Sequence, residues 1–150
     1  MDNDERKVFG LAISKISEVE FFMNESALPQ NIDNGVKVNF IQETRIGLAL
    51  NLVVFVLTVD YFLPQNLNDK ILSIKVENWF NIYELEKFVK EGNLLELPQD
   101  ALVSIVSLSI SHTRAILSKH TAGTLFATHL IPLVNPVQIT KEFFPDQFKD

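Results

Sequence analysis

The sequence predicts an α+β fold: a four-stranded antiparallel sheet followed by a long helix and a short C-terminal helix, all in one domain spanning 1–150. Three observations predict it. Apolar residues alternate through most of the first 83 positions, which is the period of half-buried strands. Beyond Tyr83 the apolar period lengthens to that of a helix. Finally, Pro98 opens and Ala122-Gly123 close the one stretch long enough for a major helix.

The first strand is read over Val8–Met23, where Phe9, Leu11, Ile13, Val19, Phe21 and Met23 share a face that Lys15 and Ser17 interrupt, as a bulge or bend would require. Asn24–Gly35 is turn-rich and reads as a loop. Val36, Val38 and Phe40 alternate with Lys37, Asn39 and Ile41, giving a short second strand. Gly47–Phe62 reads as a long third strand, apolar on both faces at its centre. A hairpin connection at Pro64–Asp69 leads to the fourth, Ile71–Tyr83, with Leu72, Ile74, Val76, Phe80 and Ile82 on one face and only Asn78 interrupting them. The expected arrangement is a meander.

In the second half, YELEKFVKE (83–91) reads as a short helix ended by Gly92-Asn93. Between Pro98 and Lys119 a helical stripe runs through Leu102, Ile105, Val106, Ser109, Thr113 and Ile116, although Ser104–Ser111 also alternates in part as a strand would. Small serines on one stripe would let this helix lie close to another. The run 124–136 is apolar but holds two prolines, so no long regular element fits it. A last helix is expected from about Gln138, carrying Phe143 and Phe144.

Composition narrows the function classes. With no cysteine, a disulfide framework, a zinc ribbon and a thiol nucleophile are excluded. A net charge of −6 and a pI of about 5.0 argue against nucleic acid as a partner. Met1-Asp2-Asn3-Asp4-Glu5 is the reverse of a secretory start, and a cytoplasmic location is expected. The best membrane candidate, Ile46–Leu63, contains Asn51 and Asp60 and is rich in β-branched residues, so a buried strand is expected and no membrane insertion.

No catalytic set emerges, and neither an enzyme activity nor a cofactor is expected. His112 and His120 lie eight apart on the long helix, about 12 Å along its axis, too far to share a metal. Ser109 and His112 are close on that helix but no strand-to-helix elbow surrounds them. Glu18 and Glu20, like Glu84 and Glu86, are spaced two apart; in a strand Glu18 and Glu20 would share one solvated face. Asp60 is expected at a wet sheet rim. The aromatics are more telling. Twelve Phe are present, and the neighbours Phe21/Phe22, Trp79/Phe80 and Phe143/Phe144 cannot all enter one core. One member of each pair is left for an oligomer interface or a surface that binds apolar segments.

At the level of element order the chain resembles SecB, the export chaperone, and its SecB-like relatives. The resemblance runs from about Val8 to Phe144 and rests on VFGLAISKISEVEFFMN with NESALP, VKVNF, LALNLVVFVLTV, ILSIKVENWFNI and the C-terminal RAILSKHTAGTLFATHLIPLVNP. It implies an ATP-independent holdase of protein export and translocation, a homotetramer built as a dimer of dimers, that holds unfolded clients in apolar grooves. Carried over by position, the groove would use Phe21, Phe22, Trp79, Phe80, Phe88, Val89, Leu94, Leu95, Phe126, Leu130, Phe143 and Phe144. Of the acidic positions that dock the SecA motor, one falls on Glu18, but two others fall on Phe22 and Lys75. A SecB-like protein with another task is the alternative: guarding an antitoxin partner, binding a small ligand near His112, Arg114 and His129, or serving as an assembly subunit.

Overall fold

The computed structural model describes residues 10–28 and 35–148; Val8, Phe9 and positions 29–34 of the expected loop lie outside them. Four strands, β1 (Leu11–Met23), β2 (Lys37–Gly47), β3 (Leu52–Leu63) and β4 (Asn66–Ile82), form one antiparallel sheet. Its order is β1-β4-β3-β2, so β2, β3 and β4 are joined by hairpins while β1 lies beside β4. That is a Greek-key order in place of the expected meander.

One face of the sheet is covered. Val53, Phe55, Leu57, Val59 and Tyr61 of β3 stand in register with Phe80, Asn78, Val76, Ile74 and Leu72 of β4, and all ten are buried. Helix α1 (Gln99–Thr121) buries Leu102, Ile105, Val106, Ser109, Ile110, Thr113 and Leu117, which is the expected helical stripe, continued past Thr113 by Leu117 where the sequence suggested Ile116. Ser109, Thr113 and Thr121 return their hydroxyls to the carbonyls four residues earlier, so small polar residues enter the core without an unpaired group. By length and composition α1 is also apolar enough to cross a membrane; in this fold it packs on the sheet. Helix α2 (Pro136–Phe143) starts with Pro136 in its first turn and Asn135 as its cap, whose Oδ1 accepts from the Gln138 N–H at 3.1 Å.

Three boundaries differ from expectation. The segment Leu48–Asn51 is not strand: a single 3-10 turn over Leu48–Leu50 ends in left-handed Asn51 (φ 53°), reversing the chain between β2 and β3. The 83–91 helix is one 3-10 turn, Leu85–Phe88, followed by a small hairpin of β5 (Val89–Lys90) and β6 (Leu94–Leu95). Gly92 and Asn93, both at positive φ (77° and 58°), turn this hairpin and do not cap a helix.

The third concerns β1. Ser14 and Val19 have no partner on β4, so the strand is bulged as expected, but at these two positions and not at Lys15 and Ser17. Ile13 opposes Phe80, Ile16 opposes Asn78, Glu18 opposes Val76 and Phe21 opposes Ile74. Glu18 therefore lies on the helix-covered face while Glu20, opposite Lys75, lies on the other. The two carboxylates do not share a face.

Candidate functional site

The thirteen positions singled out by sequence do not form one surface. Phe80 and Phe126 are fully buried, and Leu95 nearly so; they are core and cannot line a groove. Phe126 lies against Tyr61, with ring centroids 6.4 Å apart. Phe143 and Phe144 were expected to be divided between core and surface. Both pack on Phe55, at 6.1 and 6.3 Å, because α2 stops at Phe143 and the non-helical backbone of Phe144 lets its ring turn to the same partner. Phe88 and Val89 are half-buried against the core, while Leu94, on the turn side of the same hairpin, is exposed. The Gln147 side chain pins that hairpin, donating to the Leu95 carbonyl at 2.7 Å. Between them lies a shallow hollow of about 330 Å³, bounded by Phe88, Glu96, Leu97, Pro98, Asp146 and Gln147.

The apolar surface is richest in the proline-containing run after α1. Thr124 caps a 3-10 turn (Leu125–Thr128), accepting from the Phe126 N–H and donating to the Thr121 carbonyl. The Arg114 guanidinium then grips the extended chain, donating to the carbonyls of Ile131 (3.2 Å) and Pro132 (3.1 Å). Ile131 points inward and is buried. Leu125, Leu130, Leu133 and Val137 stand in solvent, Leu133 at 92% exposure. A leucine so exposed, on backbone held from beneath, is a fixed apolar projection. Sequence reasoning named Leu130 but missed the other three. The signal was present in Pro132 and Pro136, which bar the run around Leu133 from regular pairing.

A second apolar strip follows β1. Ile13 and Ile16, on the helix-covered side but at the sheet's edge, remain exposed, as does Val19 at its bulge. Near the end of this strand Phe21 stacks on His120 (centroids 4.4 Å apart), and His120 Nε2 lies 2.6 Å from a Glu18 carboxylate oxygen. Glu25 adds a tie, accepting from the Leu125 N–H at 2.8 Å. Glu18, carried over as a docking acid on the open face, is thus engaged with α1 on the opposite side.

The open face of the sheet sets charged side chains among apolar ones, with Ile41 exposed and Val54 and Val56 buried there. Lys15 lies 5.1 Å from the centre of the Trp79 ring, and Glu77 accepts from the Trp79 indole N–H (2.9 Å) and from Arg45 (2.5 Å). These hydrogen bonds, the indole's first, hold the Glu77 carboxyl below its usual range. Phe22 is exposed on this same face, opposite Ser73. Asp60 is not at a wet rim. It is 1% exposed, accepting from Ser73 at 2.6 Å with Lys70 at 3.6 Å, because the rows of β2 and β4 close over the central strand.

Two of the three residues considered for a small-ligand site, His112 and Arg114, are engaged with other groups of the fold. His112 Nδ1 lies 2.8 Å from Asn78 Oδ1, and Arg114 is committed to the two carbonyls. Among the described residues no group of three or more acidic, histidine or cysteine side chains could hold a metal ion.

No family model and no curated protein matches this sequence. Among solved structures the chain is similar to a SecB-like chaperone of Mycobacterium tuberculosis in complex with an antitoxin peptide, at 12% identity and a TM-score of 0.49, over 83% of this chain and 85% of that one.

Proposed function

We propose that this chain is an ATP-independent holdase that binds unfolded polypeptide segments on its apolar surface in a cytoplasmic setting. The observation that carries the reading is the row Leu125, Leu130, Leu133 and Val137, exposed on backbone fixed by Arg114 and the Thr124 cap. Leucines held in solvent by a rigid frame have no folding role in one protomer, and surfaces of this kind mark contact with other chains. The sequence resemblance to SecB-like chaperones supports the same reading.

Each apolar site is weak by itself, because an unfolded client loses conformational freedom on binding. Affinity would come from several sites acting together, which a homotetramer supplies. An antitoxin with an aggregation-prone segment is one client of this chemistry. SecA docking is no part of the proposal, since the Glu18 carboxylate is held by His120 and the open face carries Phe22 and Lys75.

The test is gel filtration with in-line light scattering, alone and with a chemically unfolded client. A tetramer that co-elutes with the unfolded client and ignores the folded one is expected. A monomer, or an oligomer inert to the unfolded client, would overturn the proposal.

A further inference from the structure

The 3-10 turn Pro145–Phe148, which follows α2, folds back onto the β5–β6 hairpin. The chain is anchored unequally on the two sides of Pro145. Before it, Phe143 and Phe144 pack on Phe55, and the Phe144 N–H still donates to the Thr140 carbonyl. Pro145 has no N–H with which to continue that ladder. From there on, none of the turn's four residues is fully buried, and Pro145 and Asp146 are exposed.

Two side-chain hydrogen bonds tether the turn. Gln147 Nε2 donates to the Leu95 carbonyl at 2.7 Å. Gln99 Nε2, at the start of α1, donates to the Gln147 carbonyl at 3.2 Å in an exposed position where water competes. Against them stands Gln147 Oε1, which is buried without a hydrogen-bond partner. A buried acceptor left unpaired costs at least as much as one ordinary hydrogen bond contributes. The polar groups therefore hold the turn closed with little net gain, and the half-buried Phe148 ring is its main hold. Across the hollow of about 330 Å³ from Gln147 stand Leu97 and Pro98, and Leu97, like Leu95, is buried.

We infer that Pro145–Phe148 is an autoinhibitory strap: it swings away from the hairpin about Pro145 while α1, α2 and the sheet stay folded, and when closed it occupies the apolar seam beside Leu95 and Leu97. The occupant of the closed state sets the chemistry of what replaces it. That is an apolar ring with an N–H donor for the Leu95 carbonyl, and an extended polypeptide supplies the donor from its own backbone. The opening is a property of this chain by itself. Only its consequence, control over the holding of unfolded segments, rests on the holdase reading.

Hydrogen exchange on the full chain tests it, read at two amides: Gln147, bonded to the Phe144 carbonyl, and Glu96 of the hairpin, bonded to the Phe88 carbonyl. Both are expected to exchange through one shared opening, with the same denaturant dependence, at least about tenfold faster than the amides in the middle of α1. Phe148→Asp should hold the strap open in folded protein. Glu96 exchange then quickens while α1 exchange does not, and the dye 1-anilinonaphthalene-8-sulfonate brightens several-fold. Suppression of light scattering from a chemically unfolded client should rise as well. Glu96 and Gln147 amides that open only together with α1 would overturn the inference. So would a folded Phe148→Asp variant with the parent's Glu96 exchange and dye binding. The parent's exchange pattern decides the matter even where the variant does not fold. Scattering suppressed by a parent whose strap never opens removes the strap and leaves the holdase reading. A strap that opens in a protein that suppresses nothing removes the holdase reading and, with it, the inhibitory role.

Discussion

The imidazole of His112 on α1 meets the carboxamide of Asn78 on β4, Nδ1 to Oδ1, at 2.8 Å in the middle of the helix–sheet interface. Asn78 also donates to the Phe55 carbonyl at 3.3 Å. It is the one polar residue in the buried row of β4 and is fully enclosed. With the amide oriented this way, the neutral ring carries its proton on Nδ1 and donates it to Asn78.

Burial holds the His112 imidazole below its usual 6.5. The unfolded chain then takes up this proton more readily than the folded one, so stability rises with pH across this region. The contribution is fully present above 6.5 and is lost as pH falls through that value toward the folded one. Denaturant titrations at about pH 7.5 and about pH 5.5 should show a loss of stability at the lower pH that is smaller in His112→Gln. A variant as sensitive as the parent would remove His112 as the cause. Replacing Asn78 by Leu strands the ring nitrogen and should cost about 1–3 kcal/mol at neutral pH.

Leu133→Asp is expected to leave the thermal midpoint nearly unchanged, within about 0.5 kcal/mol of stability, because its side chain is 92% exposed, and Leu130→Asp, at a half-exposed side chain, to cost about 1 kcal/mol. Client holding, read as suppressed light scattering, should fall several-fold. Phe144→Asp makes the contrast. Its ring packs on Phe55, so the change should cost on the order of 2–3 kcal/mol and cannot separate client binding from folding.

Arg114→Lys should free the chain at 131–132. An ammonium cannot reproduce the forked donation to two carbonyls, so about 1–2 kcal/mol is lost and exchange in 129–135 quickens. If exchange there were unchanged, the projection of Leu133 would have another support.

Glu18→Gln tests the tie between β1 and α1. Both side chains are about one-third exposed, so a double-mutant cycle with His120→Gln should give a coupling below about 1 kcal/mol. Coupling near zero would make the contact incidental.

Much of the fold was legible because it follows from period alone. The buried row of β4 and the α1 stripe are stated directly by alternation and by the 3.6-residue repeat, while the continuous apolar run of β3 marks a strand but not which face meets the helix. The errors fell where a single residue changes direction. Leu48-Ala49-Leu50 looks like strand, and only left-handed Asn51 makes it a turn. Val19 is apolar like its neighbours, and nothing local says that it is unpaired, yet it sends Glu18 and Glu20 to opposite faces. The candidate site was less legible than the fold. Sequence can identify surplus aromatic rings, but Phe80, Phe126, Phe143 and Phe144 all found places in or against one core. The exposed set proved mainly aliphatic, at Leu125, Leu130, Leu133 and Val137.

The paired bulges also decide where β1 can be shortened. Removing a residue from a regular strand inverts everything on one side of the cut, the worst outcome for a sheet with one covered face. Ser14 and Val19 are surplus to the pairing, so excising either one leaves Ile13, Ile16, Glu18 and Phe21 facing as they do now. Each is a spare link in the chain, and strand length at this edge can vary by one or two residues without changing which side chains meet α1.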